Sequence, residues 1–147
     1  MNNKTTLHIL LVLTMIWAGL SFFSYVMMGL MLPTFQEYYS VHPDVLPEQF
    51  HVMMERMFEV PKSYYLVCGL LYALEVTGAV LMWNLRRSGF HSYALARLLL
   101  LLLPLLFLGR GSVAIGDVMF ALLFILVYYL LLRQQGVFGA KEEESEE

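Results

Sequence analysis

Four long apolar runs separated by polar segments set the pattern of this 147-residue chain. The runs cover approximately residues 7–32, 64–83, 90–108 and 113–132. A helix of about 20 apolar residues crosses the roughly 30 Å hydrocarbon layer of a bilayer. The pattern therefore predicts an all-α fold, a four-helix transmembrane bundle with one span at each run.

The segments between the runs predict how the spans are connected. NLRRS at 84–88 and GRGS at 109–112 are short and polar, which is typical of tight turns between antiparallel helices. The loop at 33–63 is the longest connection and has room for structure of its own. Residues 1–140 are predicted to form a single membrane domain. KEEESEE at 141–147 has no apolar anchor and is predicted to be a disordered acidic tail.

An amphipathic helix is predicted inside this loop, in the stretch LPEQFHVMMERMFEV. One helical face carries its apolar residues, which are Leu46, Phe50, Met53, Met54 and Met57. The other faces carry Glu48, His51, Glu55 and Glu59. Pro47 suits the first helical position, and Pro61 prevents continuation. We expect this helix to lie along the outer membrane surface or to cap the bundle.

Composition and charge indicate the class of protein and its orientation. With 59% hydrophobic and 14% charged residues, the chain has more apolar surface than a soluble core of this size buries. If the N-terminus is cytoplasmic, the basic residues on that side are Lys4, Arg86, Arg87, Arg133 and Lys141, with Arg97 close by. The basic residues outside are then Arg56, Lys62 and Arg110. This imbalance predicts a multi-pass protein with both termini in the cytoplasm.

Glu75 is the most costly residue of the second span. An acid near the centre of a span raises the free energy of membrane insertion by about 2.5–3.5 kcal/mol. The eight Leu and Val residues of this span lower it by about 2.4–4.8 kcal/mol. Helical rise places Glu75 roughly 12 Å, and Arg97 of the next span roughly 10 Å, from the same membrane surface. The sequence therefore predicts that Arg97 pairs with Glu75 inside the bundle.

Three roles are open for Glu75. Its pairing with Arg97 can simply fix which faces of the two spans meet. An intramembrane acid can also handle protons or cations. A protonated, uncharged Glu75 could instead donate to a backbone carbonyl. Pro104 lies on nearly the same face as Arg97 and frees the carbonyl of Leu100, which predicts a more polar inner face than the leucines indicate.

The fourth span carries a second intramembrane acid, Asp117. It belongs to a stripe at heptad spacing that predicts the packing face of this span, comprising Ala114, Asp117, Ala121, Phe124 and Tyr128. By helical rise Asp117 lies about 6–8 Å from the outer surface, where it could snorkel, pair with Arg110 or complement the helix N-terminus. In the first span, Trp17 lies mid-span and is predicted to be a packing residue.

Methionines near the outer surface raise the question of a soft-metal site. Two similar patterns occur, MMGLM in the first span and MMERM in the loop. Thioether and imidazole ligands suit Cu(I), so the candidate set is Met53, Met54, Met57 and His51. Methionines also fill space in membrane chains, and the single cysteine, Cys68, is expected to be an apolar filler.

The sequence contains no recognisable catalytic set. It has no HExxH, no phosphate-binding glycine loop, and no nucleophile with a base at interpretable spacing. We therefore predict no catalytic residue, no cofactor and no resident metal, and we do not expect an enzyme. The turn MWNLRRSGFHSY resembles the cytoplasmic turn of small uncharacterised four-span bacterial inner-membrane proteins. The resemblance implies an inner-membrane location and assigns no activity.

Two functions fit these features. The first is a non-enzymatic accessory or interaction subunit that contacts the lipid bilayer and forms a homo-oligomer or part of a larger membrane complex. No nucleic acid partner is expected, because the outer loop is acidic. The alternative is an oligomeric transport component for a small solute, proton or ion. Transport would use Glu75, Arg97 and Asp117, the three intramembrane charges.

Overall fold

The computed structural model describes residues 2–109 and 111–139, and within these ranges every regular element is helical. The helices are α1 (Asn3–Val41), α2 (Glu48–Glu59), α3 (Lys62–Trp83), α4 (Arg87–Phe107) and α5 (Ile115–Gln134), with a short 3₁₀ turn at Pro43–Val45. Four of them, all except α2, are long and apolar enough to cross a membrane. The predicted all-α class with four spanning helices is confirmed. The predicted tail at 141–147 and Arg110 lie outside the described residues.

Helix α1 differs from the first predicted span. It continues past residue 32, through Pro33, to Val41, so the segment taken as the start of the loop is helical. Its 39 residues extend over about 58 Å, far more than the roughly 30 Å of a hydrocarbon layer. Pro33 removes a single backbone hydrogen bond and leaves the helix continuous. Contacts with α2 stabilise the extension: Gln36 Nε2 donates to the carbonyl of Phe58 at 3.1 Å.

Helix α3 is the centre of the bundle and packs closely against α1 on one side and α4 on the other. Glycines permit this approach. A Cβ on Gly69 would lie 2.9 Å from Val26 Cγ2 of α1. On the opposite side, a Cβ on Gly89 of α4 would lie 2.5 Å from the amide nitrogen of Met82, and one on Gly78 would lie 2.8 Å from that of Tyr93. The backbones of α3 and α4 are therefore in direct contact near their shared turn.

Two buried clusters hold the helices together, one at each end of the bundle. At the end where α1 begins and α5 ends, called the termini end, the cluster contains Leu7, Leu11, Ala79, Met82, Tyr93, Tyr128 and Leu132, from all four long helices. At the opposite end, called the α2 end, it contains Val60, Tyr64 and Cys68, packed against Tyr25, Tyr65, Leu100 and Leu103. In the described part of the chain, no residue of α5 belongs to this second cluster. Helix α5 is thus held firmly at one end only.

Helix α2 is amphipathic as predicted, but only part of its predicted apolar face contacts the rest of the protein. The half-buried residues are His51, Met54, Met57 and Phe58. Phe50 and Met53, which belong to the predicted apolar face, are 39% and 49% exposed. Tyr39 of the extended α1 is the reason, because its ring contacts both His51 and Phe58. That extension was not predicted, and neither was the side of α2 that meets it.

Candidate functional site

Buried and half-buried polar side chains gather in the interior of the bundle, beside and within the termini-end cluster, and every long helix contributes at least one. The group consists of Thr14 from α1, Tyr72 and Glu75 from α3, Tyr93 and Arg97 from α4, and Tyr128 from α5. Glu75, Tyr93 and Tyr128 are fully buried. A buried polar group costs free energy unless it is paired, so the contacts within this group decide how well each member is tolerated.

Glu75 and Arg97 meet as the sequence predicted. Arg97 Nη2 lies 3.4 Å from Glu75 Oε1, with Glu75 fully buried and 21% of the Arg97 side chain exposed. Among the described residues, neither carboxylate oxygen of Glu75 has a hydrogen-bond partner, and the same is true of Arg97 Nε. The pair is therefore held by charge attraction at ion-pair distance. The alternative in which a protonated Glu75 donates to a backbone carbonyl is not the arrangement seen here.

A hydrogen-bonded chain links α1 to α5. The hydroxyl of Tyr128 donates to the carbonyl of Leu10 at 2.9 Å and lies 2.6 Å from the hydroxyl of Thr14. A phenol has one proton, so Thr14 must be the donor in the second bond. The ring of Tyr93 then packs edge-on against Tyr128, with centroids 5.0 Å apart. Arg97 lies on the other side of Tyr93, with its Cζ 6.0 Å from the ring centroid.

A cavity of about 640 Å³ lies beside this polar group, between α1, α4 and α5. We call it the wedge cavity, because it occupies the space left where α5 is not held at the α2 end. It is lined by Leu10, Leu13, Thr14, Trp17, Tyr25, Tyr72, Arg97, Leu100, Leu101, Pro104, Ser112, Val113, Asp117, Phe120, Ala121 and Phe124. Leu13, Trp17 and Phe120 are 58%, 62% and 64% exposed, so the cavity opens sideways towards the surrounding membrane.

Two of the three predicted intramembrane charges line the wedge cavity. Arg97 lies in its interior and Asp117 at the α2 end, while Glu75 is buried behind Arg97 and does not line it. Asp117 is exposed. Its predicted pairing with Arg110 falls on a residue outside the described part of the chain. Leu100 and Pro104 line the cavity together with Arg97, so the face expected to be polar is the one that borders this space.

The stripe predicted on the fourth span is only partly a packing face. Ala121 and Tyr128 are buried and Phe124 is half-buried, whereas Ala114 and Asp117 are exposed. Trp17, predicted as a packing residue, instead faces the wedge cavity and the membrane. Both differences have one cause: α5 separates from α1 towards the α2 end.

Of the candidate soft-metal residues Met53, Met54, Met57 and His51, the structure gives protein partners to His51. Both ring nitrogens of His51 already have protein partners: Nδ1 contacts the hydroxyl of Tyr39, and Nε2 lies 3.1 Å from the carbonyl of Leu46. Within the described residues, no group of three or more His, Cys, Asp or Glu side chains could hold a metal. Cys68 is buried at 2% exposure between Val60 and Tyr64, in the apolar role expected of it.

Sequence reasoning did not identify three polar side chains of the site: Tyr72, Tyr93 and Thr14. Tyr93 precedes Arg97 by four residues, so the two share a helix face, and this spacing was a usable signal. Thr14 had no such signal. Its role depends on Tyr128, which is more than a hundred residues away in sequence.

Comparisons with known proteins add no template for this site. No family model, curated protein or solved structure matches the chain. The resemblance of the turn at 82–93 to small bacterial membrane proteins therefore stays a prediction. Function must be argued from the two features that the geometry provides, the extramembrane unit around α2 and the wedge cavity.

Proposed function

We propose that the protein is a non-enzymatic accessory subunit of a bacterial inner membrane, which binds a partner membrane protein through the unit formed by the end of α1 and α2. We call residues 36–60 the α2 platform. In this proposal both termini are cytoplasmic, so the platform faces the opposite side. The observation that supports it is a stiff, exposed apolar surface beyond the spanning segments.

The α2 platform is held in one shape by contacts between its elements. Gln36 donates to the carbonyl of Phe58, Tyr39 contacts His51, and Tyr65 of α3 donates to the carbonyl of Met57 at 3.3 Å. A preformed surface loses little conformational entropy when it binds a partner. These contacts thus favour a recognition role over that of a passive connecting loop.

Apolar side chains remain exposed on this platform. Val41, Val45 and Val52 are 67%, 56% and 59% exposed. Lipid covers the apolar side chains that the spanning helices expose. The platform extends beyond the roughly 30 Å hydrocarbon layer, so lipid tails do not cover its apolar side chains. Exposed apolar residues outside the hydrocarbon layer commonly mark a protein or membrane contact.

Charge distinguishes between these two contacts. The platform carries five exposed carboxylates, at Glu37, Asp44, Glu48, Glu55 and Glu59, against a single arginine, Arg56. An anionic lipid surface would repel this excess of negative charge. A partner protein with a basic and apolar face would complement it. The partner class proposed is therefore a membrane protein with basic residues beside its own span.

The experiment uses the fact that Cys68 is the one cysteine of the chain. In a Cys68→Ser background, Val52→Cys receives a membrane-impermeant maleimide photocrosslinker in intact spheroplasts. We expect labelling without permeabilisation and one heterologous adduct. Glu48→Lys/Glu55→Lys should reduce that adduct at least tenfold, because both changes turn attraction for a basic partner into repulsion.

The control places two lysines at the termini end instead. Ser88→Lys/Gln134→Lys alters two exposed residues there and should leave the adduct unchanged. Ser88→Cys should react with the reagent only after permeabilisation. The proposal fails if the adduct contains only copies of this chain, or if charge reversal on α2 does not affect its yield.

Transport remains the second candidate, because a specific observation favours it: Arg97 and Asp117 both line the wedge cavity. The full burial of Glu75 behind Arg97 weighs in the other direction. Transport would require an assembly of several chains, since four helices leave little room for a pathway inside one.

A further inference from the structure

The wedge cavity contains a charged donor in a wall that is otherwise mainly apolar. Leu100, Leu101, Phe120 and Phe124 line the space around Arg97. The opening faces the membrane, where hydrocarbon chains supply no hydrogen-bond acceptor. Lipid tails alone would leave the accessible donors of the guanidinium unmatched.

The donors of Arg97 are incompletely used by the protein itself. Its Nη2 lies 3.4 Å from Glu75 Oε1 without a hydrogen bond, and 21% of its side chain is exposed where it lines the cavity. A guanidinium has five N–H donors and no acceptor. An occupant that brought an oxygen acceptor to Arg97 would gain more than an apolar one, since unmet donors are costly in a dry site.

The charges around the cavity favour a neutral occupant. Glu75 already matches the positive charge of Arg97, and Asp117 adds a negative charge at the α2 end. Among the described residues the surroundings that an anion would enter are therefore negative overall, in a medium of low dielectric constant. A neutral carbonyl oxygen can accept from Arg97 without adding charge.

The walls and size of the cavity favour a flat ring. Trp17, Tyr72, Phe120 and Phe124 supply aromatic surface, which pairs well with other ring systems. The volume of about 640 Å³ lies within the roughly 300–1,000 Å³ range of small-molecule sites. Entry from the side through the membrane requires that the molecule dissolve in lipid.

We propose that the wedge cavity binds a neutral, membrane-soluble molecule of the quinone class, whose ring carbonyl accepts a hydrogen bond from Arg97. The ring lies among the aromatic walls, and an apolar tail leaves through the lateral opening into the bilayer. This ligand site is independent of the partner contact at the α2 platform. Either can exist without the other, so their tests are separate.

The two tryptophans of the chain allow a direct test. Trp17 lines the cavity, whereas Trp83 lies at the termini end beside His8, with ring centroids 4.3 Å apart. A Trp83→Phe protein in lipid nanodiscs is titrated with decylbenzoquinone while Trp17 fluorescence is recorded. We expect saturable quenching. The control, Trp17→Phe, reports from Trp83 and should show only the linear quenching of quinone dissolved in lipid.

Two substitutions at Arg97 test the assigned contact in the Trp83→Phe background. Glu75→Leu/Arg97→Leu removes both charges together and should weaken the saturable binding at least tenfold. Arg97→Lys keeps a cation beside Glu75 but removes the forked donors, and should weaken binding several-fold. Because Arg97→Lys preserves the ion pair, it tests the contact even if the double leucine protein does not fold.

A charged competitor completes the test. Decanoate, an anion of similar chain length, should not displace the quinone. Linear quenching in both single-tryptophan proteins would overturn the proposal. It would also be overturned by unchanged affinity in both Arg97 variants, or by displacement by decanoate at concentrations below those of the quinone.

Discussion

At the scale of single residues, the ion pair between Glu75 and Arg97 decides whether the second span is tolerated. A charge removed from water costs several kcal/mol unless a partner compensates for it. Arg97 Nη2 at 3.4 Å supplies that compensation from the neighbouring helix. The carboxylate has no second partner among the described residues, so its stability depends on this one contact.

Removal of Arg97 alone should therefore be worse than removal of both charges. We expect Arg97→Leu to lower the free energy of unfolding by about 3–5 kcal/mol, because Glu75 is left without its cation. Glu75→Leu/Arg97→Leu should recover most of that loss. Unfolding in mixed micelles, followed by circular dichroism, measures the difference. Equal destabilisation by the single and double changes would show that the pair is not coupled.

The sequence predicted some residues of the site and not others, for a physical reason. Glu75 and Arg97 could be paired from helical rise, because adjacent antiparallel spans fix the relative heights of their residues. Trp17 and His51 were placed wrongly. The surroundings of Trp17 depend on how far α5 separates from α1, and those of His51 depend on where α1 ends. Both are determined by tertiary packing.

At the scale of helices, the apolar runs predicted the number and approximate position of the spans, but not where α1 ends. Pro33 is a reasonable stop signal in a sequence, yet α1 continues to Val41. Gln36 and Tyr39 stabilise the continuation by contacts with Phe58 of α2, which lies outside the sequence window that determines a local helix prediction. Such a contact cannot be read from hydropathy.

Close helix packing gives a prediction at this scale. A Cβ on Gly89 would lie 2.5 Å from the Met82 amide nitrogen, so Gly89→Ala must push α3 and α4 apart. We expect a loss of about 1–3 kcal/mol, typical of overpacking. The measurement is again unfolding in mixed micelles.

The matched control is Gly19→Ala in α1, where nothing lies within 4 Å of the added atom. This change should be neutral or slightly stabilising, because alanine favours a helix over glycine. Equal effects at the two glycines would mean that α3 and α4 do not touch as described. Glycine content alone did not identify Gly78 and Gly89 as the contact, since the chain has ten glycines.

At the scale of the whole molecule, the four-helix class followed from the sequence, but the wedge cavity did not. The heptad stripe on α5 predicted one continuous packing face, whereas Ala114 and Asp117 are exposed. The second buried cluster, around Val60, Tyr64 and Cys68, is built without α5 in the described residues. The spacing of residues along one helix predicts which of its faces packs, but not how the helix tilts relative to its neighbours. The opening at the α2 end was therefore not predictable.

The same asymmetry argues against transport through a single chain. In the described part of the chain, the lining of the wedge cavity does not include Leu7, Leu11, Tyr128 or Leu132, which belong to the buried cluster at the termini end. We therefore expect proteoliposomes with the native chain or with Glu75→Gln to show the same proton and potassium flux as empty vesicles. Entrapped pH-sensitive and potassium-sensitive dyes measure both. Flux that appears with the native chain and is lost in Glu75→Gln would instead require several chains to join their cavities, and the accessory role would give way to transport.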